Sequence, residues 1–318
     1  MRNRKRLIAA AIIGAAILPI AIVAFRVGSS KDSGGAGRLS AGDVIGLIYI
    51  EGGIAGGRSP SGLTGTSRGS DYILEQIRDA GDDPRVKAVV IRLNTPGGTA
   101  AASQEIAREI ARLRRSGKKV VASMGDVCAS GGYWVAASAD LIIANPATMT
   151  GSIGVIMEVA QIEQLMNKIG VEIEVIKSGP LKDIGSSTRK LGEEERSLLQ
   201  EMVDDIHAQF VEQVAQGRGI EPGRVRDIAD GRVFTGRQAK DLGLVDDFGN
   251  LEDAINAAAR LAGLREGWSI RDYGRQTLFE RFRDLIEGGI SLDGILGIPA
   301  GLPVGPGRLA TVNLVRFK

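Results

Sequence analysis

The chain predicts a parallel, layered α/β fold, and three observations carry that expectation. Short apolar blocks recur along it, as strands buried on both faces require. Most of these blocks are followed by a stretch with apolar residues at helical spacing. The composition, 43% hydrophobic with 44 glycines and 4% aromatic residues in 318, suits Ala/Gly-rich packing of helix on sheet.

Taken in order, Arg2, Arg4, Lys5 and Arg6 form a basic cluster, and Leu7–Phe25 is a run of nineteen residues without a charge. As a helix that run is about 28 Å long, close to the thickness of a bilayer core. It is expected to be an uncleaved signal anchor spanning 7–27, with residues 1–6 in the cytoplasm and the rest of the chain outside the cell membrane. Setting aside the five cations of residues 1–30 turns the net charge of +2 into −3, so no nucleic-acid footprint remains. Residues 28–42, rich in Gly and Ser, read as a flexible tether.

The expected elements then run as follows. Asp43–Ile50 is a strand, Asp71–Ala80 a helix, Val86–Leu93 a strand and Ala100–Arg115 a helix. Lys119–Met124 is a strand that leads into Ser130, and Leu141–Ala144 is a fourth. Gln161–Ile169 is expected to be helical and Val171–Ile176 to be a strand. Gly192–Arg218 is the longest helix, with Leu199, Met202, Ile206, Phe210 and Val214 along one stripe. Leu251–Ala262 is another, and Gln276–Glu287 an amphipathic candidate. The main domain is assigned to 43–265, and 266–318 to an extension that forms a tail or an oligomerisation segment.

Chemistry concentrates in two Gly-rich turns that each follow a strand. Gly125-Asp126-Val127-Cys128-Ala129-Ser130-Gly131-Gly132 has the strand–turn–helix form that lifts a small polar side chain above a sheet edge. Ser130 there is either a helix N-cap or a nucleophile, and this stretch alone does not separate the two. Asn94-Thr95-Pro96-Gly97-Gly98 can offer backbone N–H groups to an oxyanion, with Gly131 as the second donor. The single histidine, His207, lies just beside the stripe of its helix, which is a packing position, so a histidine-based triad has no well-placed base. Lys182, between Leu181 and Ile184 after an apolar block, is the alternative. Free lysines titrate near 10.4, so a lysine used as a base has to be desolvated. The lone cysteine, Cys128, excludes an internal disulfide and fits a small buried residue under the turn.

These turns, with Thr-Gly-Ser-Ile-Gly at 150–154, Gly-Pro-Leu-Lys-Asp at 179–183 and Gly-Arg-Val-Phe-Thr-Gly-Arg-Gln-Ala at 231–239, resemble the signal peptide peptidase A family in its short, membrane-anchored form. The resemblance covers roughly residues 43–260. It implies a crotonase/Clp-protease-like fold of stacked ββα units and a serine endopeptidase with a Ser-Lys dyad. Ser130 would be the nucleophile, Lys182 the general base and Ser152 the hydroxyl that holds the lysine amine. Gly97 and Gly131 would be the backbone oxyanion donors. No cofactor or metal is implied. The expected partners are peptide substrates (remnant signal peptides and unfolded exported chains), the lipid bilayer and further copies of the chain in a ring or dome. Lys182 would then act within a protomer or across an interface. Thr95 stands where the family commonly has Ser, a change of no consequence if only backbone groups are used there. An acyl-CoA enzyme of the same fold would use both turns without needing Ser130, and a catalytically dead scaffold would need neither.

Overall fold

In the computed structural model the described residues are 42–58 and 69–274. The expected anchor, tether and amphipathic candidate at 276–287 lie outside them. Among the described residues no helix is long and apolar enough to cross a membrane.

Strands β1 (Val44–Glu51), β2 (Val86–Thr95) and β3 (Lys119–Ala129) form the centre of an eight-stranded sheet. They run parallel, with Ile45 paired to Ala88 and Ala88 to Lys119. β4 (Leu141–Ala144) pairs with the first half of β3, and β5 (Met149–Gly151) with its end. β6 (Val233–Thr235) adds antiparallel to β5, β7 (Asp247–Phe248) pairs with β4, and β8 (Ser269–Asp272) adds parallel to the outer side of β1.

The two-residue period of the strands sorts their side chains onto two cores. Ile48, Ile50, Val89, Ile91, Leu93, Val120, Ala122 and Met124 face one side. There they meet helices α1 (Ser70–Asp82), α2 (Ala100–Arg115) and α3 (Gly131–Ala136), each an apolar stripe or cluster such as Ile73, Leu74 and Ile77 of α1. Ile45, Leu47, Ala88, Val90 and Val121 face the other side and are covered by α8 (Leu251–Leu261), whose Ala254, Ala257 and Ala258 allow close approach. Between these helices in the chain lie α4 (Glu163–Ile169), α5 (Glu193–Arg218), α6 (Pro222–Arg226) and α7 (Gly236–Asp241).

The expected elements up to Ile169 are present, Ala100–Arg115 and Leu141–Ala144 with the expected ends and the others with shifted ones. Val171–Ile176 is not a strand. Its alternation is real, since Val171, Ile173 and Val175 are separated by glutamates, but all three are exposed and no described strand pairs with them. A β ladder needs a neighbour to take its hydrogen bonds, and here none is supplied. The stripe of α5 is likewise only half used. Phe210 and Val214 are buried, Phe210 stacked on Trp134 at 4.6 Å, whereas Met202 is 53% exposed.

Candidate active site

The carboxyl ends of β2 and β3 bring the two Gly-rich turns together. β3 runs five residues beyond its expected end, through Cys128 and Ala129, and delivers Ser130 at the start of α3. Ser130 has φ 52° and ψ −123°, and its side chain makes no capping hydrogen bond to the helix. The cap explanation for this serine therefore fails on geometry. Ser130 and Ser152 are the two non-glycine residues with positive φ among those described. Each such backbone costs on the order of 1–3 kcal/mol and persists only where its surroundings over-determine it.

Those surroundings can be named. The Ser130 N–H donates to Gly151 O at 2.9 Å, and its carbonyl accepts from the Trp134 N–H at 3.0 Å. The Ser152 N–H donates to Arg232 O at 2.8 Å. β3 and β5 pair in parallel with Ala129 opposite Gly151, so the next residue of each strand, Ser130 and Ser152, comes side by side. Gly151 has φ +78° and lies against the Phe234 ring, 2.5 Å from where a Cβ would stand, so no larger residue fits. Underneath, Cys128 is fully buried, and burial pushes its thiol well above the usual range, which leaves it inert.

The Asn94–Gly98 turn closes over the other side. The Gly97 N–H donates to Thr95 Oγ1 at 3.0 Å, so this hydroxyl, and not only the backbone, shapes the turn. Serine and threonine both supply it, which explains why Thr95 is admissible where the family commonly has Ser. Gly97 O accepts from Ile54 N–H, and Ile54 O from Thr99 N–H, both at 2.8 Å. A Cβ on Gly97 (φ +104°) would lie 2.7 Å from the Gly131 nitrogen and 2.8 Å from Ser130 Cβ. One on Gly131 would lie 3.2 Å from the Gly98 nitrogen. The N–H groups of Gly98 and Gly131 thus stand next to each other beside Ser130, and neither takes part in the bonds just described. The N–H of Gly97, the donor expected from the sequence, is already engaged. Which of two successive glycines turns its N–H outward depends on φ and on the Thr95 hydroxyl, and residue identity alone carries neither.

The structure brings Ser130, Ser152, Gly97 and Gly131 together, and among the described residues no hydrogen bond joins Lys182 to any of them. Lys182 is exposed on a turn in which its N–H donates to Gly179 O at 3.2 Å, and its ammonium makes no hydrogen bond or ion pair with a described residue. The stretch around it carries exposed apolar side chains, among them Ile156 (84%), Ile169 (62%) and Ile176 (95%). His207, on α5, is bonded through Nε2 to Ala229 O at 2.7 Å and makes no hydrogen bond to Ser130.

Comparison with known proteins gives the same direction. Residues 112–265 match the model of peptidase family S49. The chain is 49% identical over 183 residues to the putative protease slr0021 of Synechocystis sp., covering 58% of this chain and 66% of that protein. It is 39% identical over 250 residues to Protease 4 of Salmonella typhi, covering 78% of this chain and 40% of the relative. With the putative signal peptide peptidase SppA of Enterococcus faecium it shares 40% over 184 residues, 58% of this chain and 54% of the other. The chain thus spans about two fifths to two thirds of these relatives. The matched region begins within α2 and takes in both serines, the lysine turn and the 231–239 motif, so the similarity to peptidase family S49 lies over the part of the chain that carries most of the candidate site.

Proposed function

We propose that the chain is a serine endopeptidase, anchored to the membrane by residues 7–27, with its domain outside the cytoplasm. Its substrates in this reading are remnant signal peptides and misfolded exported chains. The observation that carries the chemistry is Ser130 itself: strained, not capping its helix, and flanked by Ser152 and two backbone N–H groups.

Ser130 Oγ attacks the scissile carbonyl carbon while the neutral amine of Lys182 takes its proton. The Gly98 and Gly131 N–H groups receive the oxyanion, with Gly97 holding the turn in place of donating. The lysine ammonium then protonates the leaving amine, and water hydrolyses the acyl-enzyme by the same proton route. Ser152 orients the lysine amine. An exposed base that makes no hydrogen bond to Ser130 of its own chain, on a stretch rich in exposed apolar residues, suits a homo-oligomer in which Lys182 reaches the Ser130 of a neighbouring protomer.

The test uses full-length protein in detergent. Ser130→Ala and Lys182→Ala are each expected to be folded and inactive, and Lys182→Arg also inactive because guanidinium does not deprotonate near neutral pH. Mixing the two alanine variants is expected to restore part of the activity, since one protomer then supplies an intact serine and its neighbour an intact lysine. Activity in Ser130→Ala, or near-normal turnover in Lys182→Arg, rejects the dyad. A silent mixture of variants that do assemble rejects the shared site alone.

A further inference from the structure

Lys182 is followed in the chain by Asp183, an awkward neighbour for a base that must lose its charge. A carboxylate within about 4–6 Å of an amine favours the protonated form by roughly 1–3 pH units. The structure commits that carboxylate elsewhere. Asp183 Oδ2 accepts from Arg189 Nε at 2.9 Å, and Oδ1 accepts from Arg189 Nη2 at 2.8 Å and from Lys177 Nζ at 2.6 Å. The other edge of the guanidinium is rooted in α5. Arg189 Nη1 donates to Glu195 Oε2 at 2.8 Å, and the same oxygen accepts the Gly192 N–H at 2.9 Å. Glu195 is buried, and Asp183 is largely covered. Next to these residues in the chain, Lys190, Glu193, Glu194 and Arg196 are exposed.

We propose that Arg189 is a positioning residue for the lysine base: it clamps the Asp183 carboxylate so that it does not pair with Lys182. The clamp needs arginine in particular. Its planar fork meets both oxygens of one carboxylate and still presents a second edge to Glu195, which an ammonium does not do. Two cations on one carboxylate also hold the Asp183 carboxyl well below its usual range, the Arg189 hydrogen bonds first and Lys177 second, so the anion is kept but spent. The proposal rests on the reading of Lys182 as the base.

The experiment follows kcat/KM for peptide hydrolysis from pH 6 to 10 in the full chain. Arg189→Gln frees the carboxylate, and the rising limb is expected to move about one pH unit to the alkaline side, roughly a tenfold loss at a fixed pH on that limb. Adding Asp183→Asn to Arg189→Gln removes the freed anion and is expected to bring the limb back. A uniform loss at every pH, an unmoved limb, or no recovery in the double variant overturns the proposal. If Arg189→Gln does not fold, Lys177→Gln decides, with a smaller shift in the same direction expected and no shift overturning it. An active Lys182→Ala enzyme overturns the dyad itself, and the proposal with it, whatever Arg189→Gln does.

Discussion

Replacing Gly98 by alanine tests the oxyanion turn most directly. A Cβ there would stand 1.8 Å from the Ile54 carbonyl oxygen, 2.6 Å from its carbon and 2.7 Å from its nitrogen. These are backbone atoms, so no rotamer change relieves the overlap. Reaching even 3.0 Å, a distance real Cβ contacts essentially never undercut, moves turn and Ile54 apart by about 1.2 Å. That separation breaks Ile54 N–H to Gly97 O and Thr99 N–H to Ile54 O, both 2.8 Å. At about 1 kcal/mol each, the stability loss is about 2 kcal/mol. The catalytic loss is larger, because a shift of that size withdraws the Gly98 N–H from the oxyanion. One such donor is worth about 3–4 kcal/mol, or 10²–10³ in kcat. Peptide hydrolysis and fluorophosphonate labelling of Ser130, alongside a denaturant titration, separate the two effects. A folded Gly98→Ala protein with kcat within threefold of the parent would refute the assignment of Gly98 as donor.

Three further outcomes are expected. Ser130→Gly abolishes hydrolysis yet stabilises the fold, since relief of about 1–3 kcal/mol of backbone strain exceeds the roughly 0.5–1 kcal/mol of chain entropy a glycine costs; a lower denaturation midpoint would contradict it. His207→Ala loses the bond to Ala229 O, costs about 1 kcal/mol, and leaves turnover within a few-fold in the hydrolysis assay. Glu195 is held down to about 2, first by Arg189 and then by the Gly192 N–H. A depressed acid stabilises the fold above the ordinary glutamate range and loses that contribution as pH falls through its folded value. Protection of the amides across 183–196, corrected for intrinsic exchange, is therefore expected to fall between pH 4 and 2, and to fall less in Glu195→Gln, where Asp183 alone of the pair still titrates.

The elements that local pattern determines were legible before any coordinates. Ala100–Arg115 and Leu141–Ala144 have the expected ends, because their apolar spacing and flanking turns suffice. What depends on distant partners was not. Val171–Ile176 carries a strand's alternation without a neighbouring strand, while Val233–Thr235 and Ser269–Asp272, short and mostly exposed, become strands because β5 and β1 lie beside them. The site divides in the same way. Ser130 stood out through its turn and Ser152 through the family resemblance, whereas the Thr95 hydroxyl and the orientation of Gly98 follow from a hydrogen bond and a dihedral angle.

Cys128 offers a way to watch the nucleophile turn move. It is the one thiol in the chain, lies two residues before Ser130, and is wholly enclosed between Thr95 of β2 and Thr150 of β5, whose hydroxyl bonds its carbonyl at 2.6 Å. A thiol reagent reaches it only when the end of β3 parts from these neighbours. Its rate of modification under native conditions is thus a clock for local opening beneath the active serine. Substrates or acylating inhibitors that tighten the turn should slow that clock, giving a readout of site occupancy that needs no cleavage.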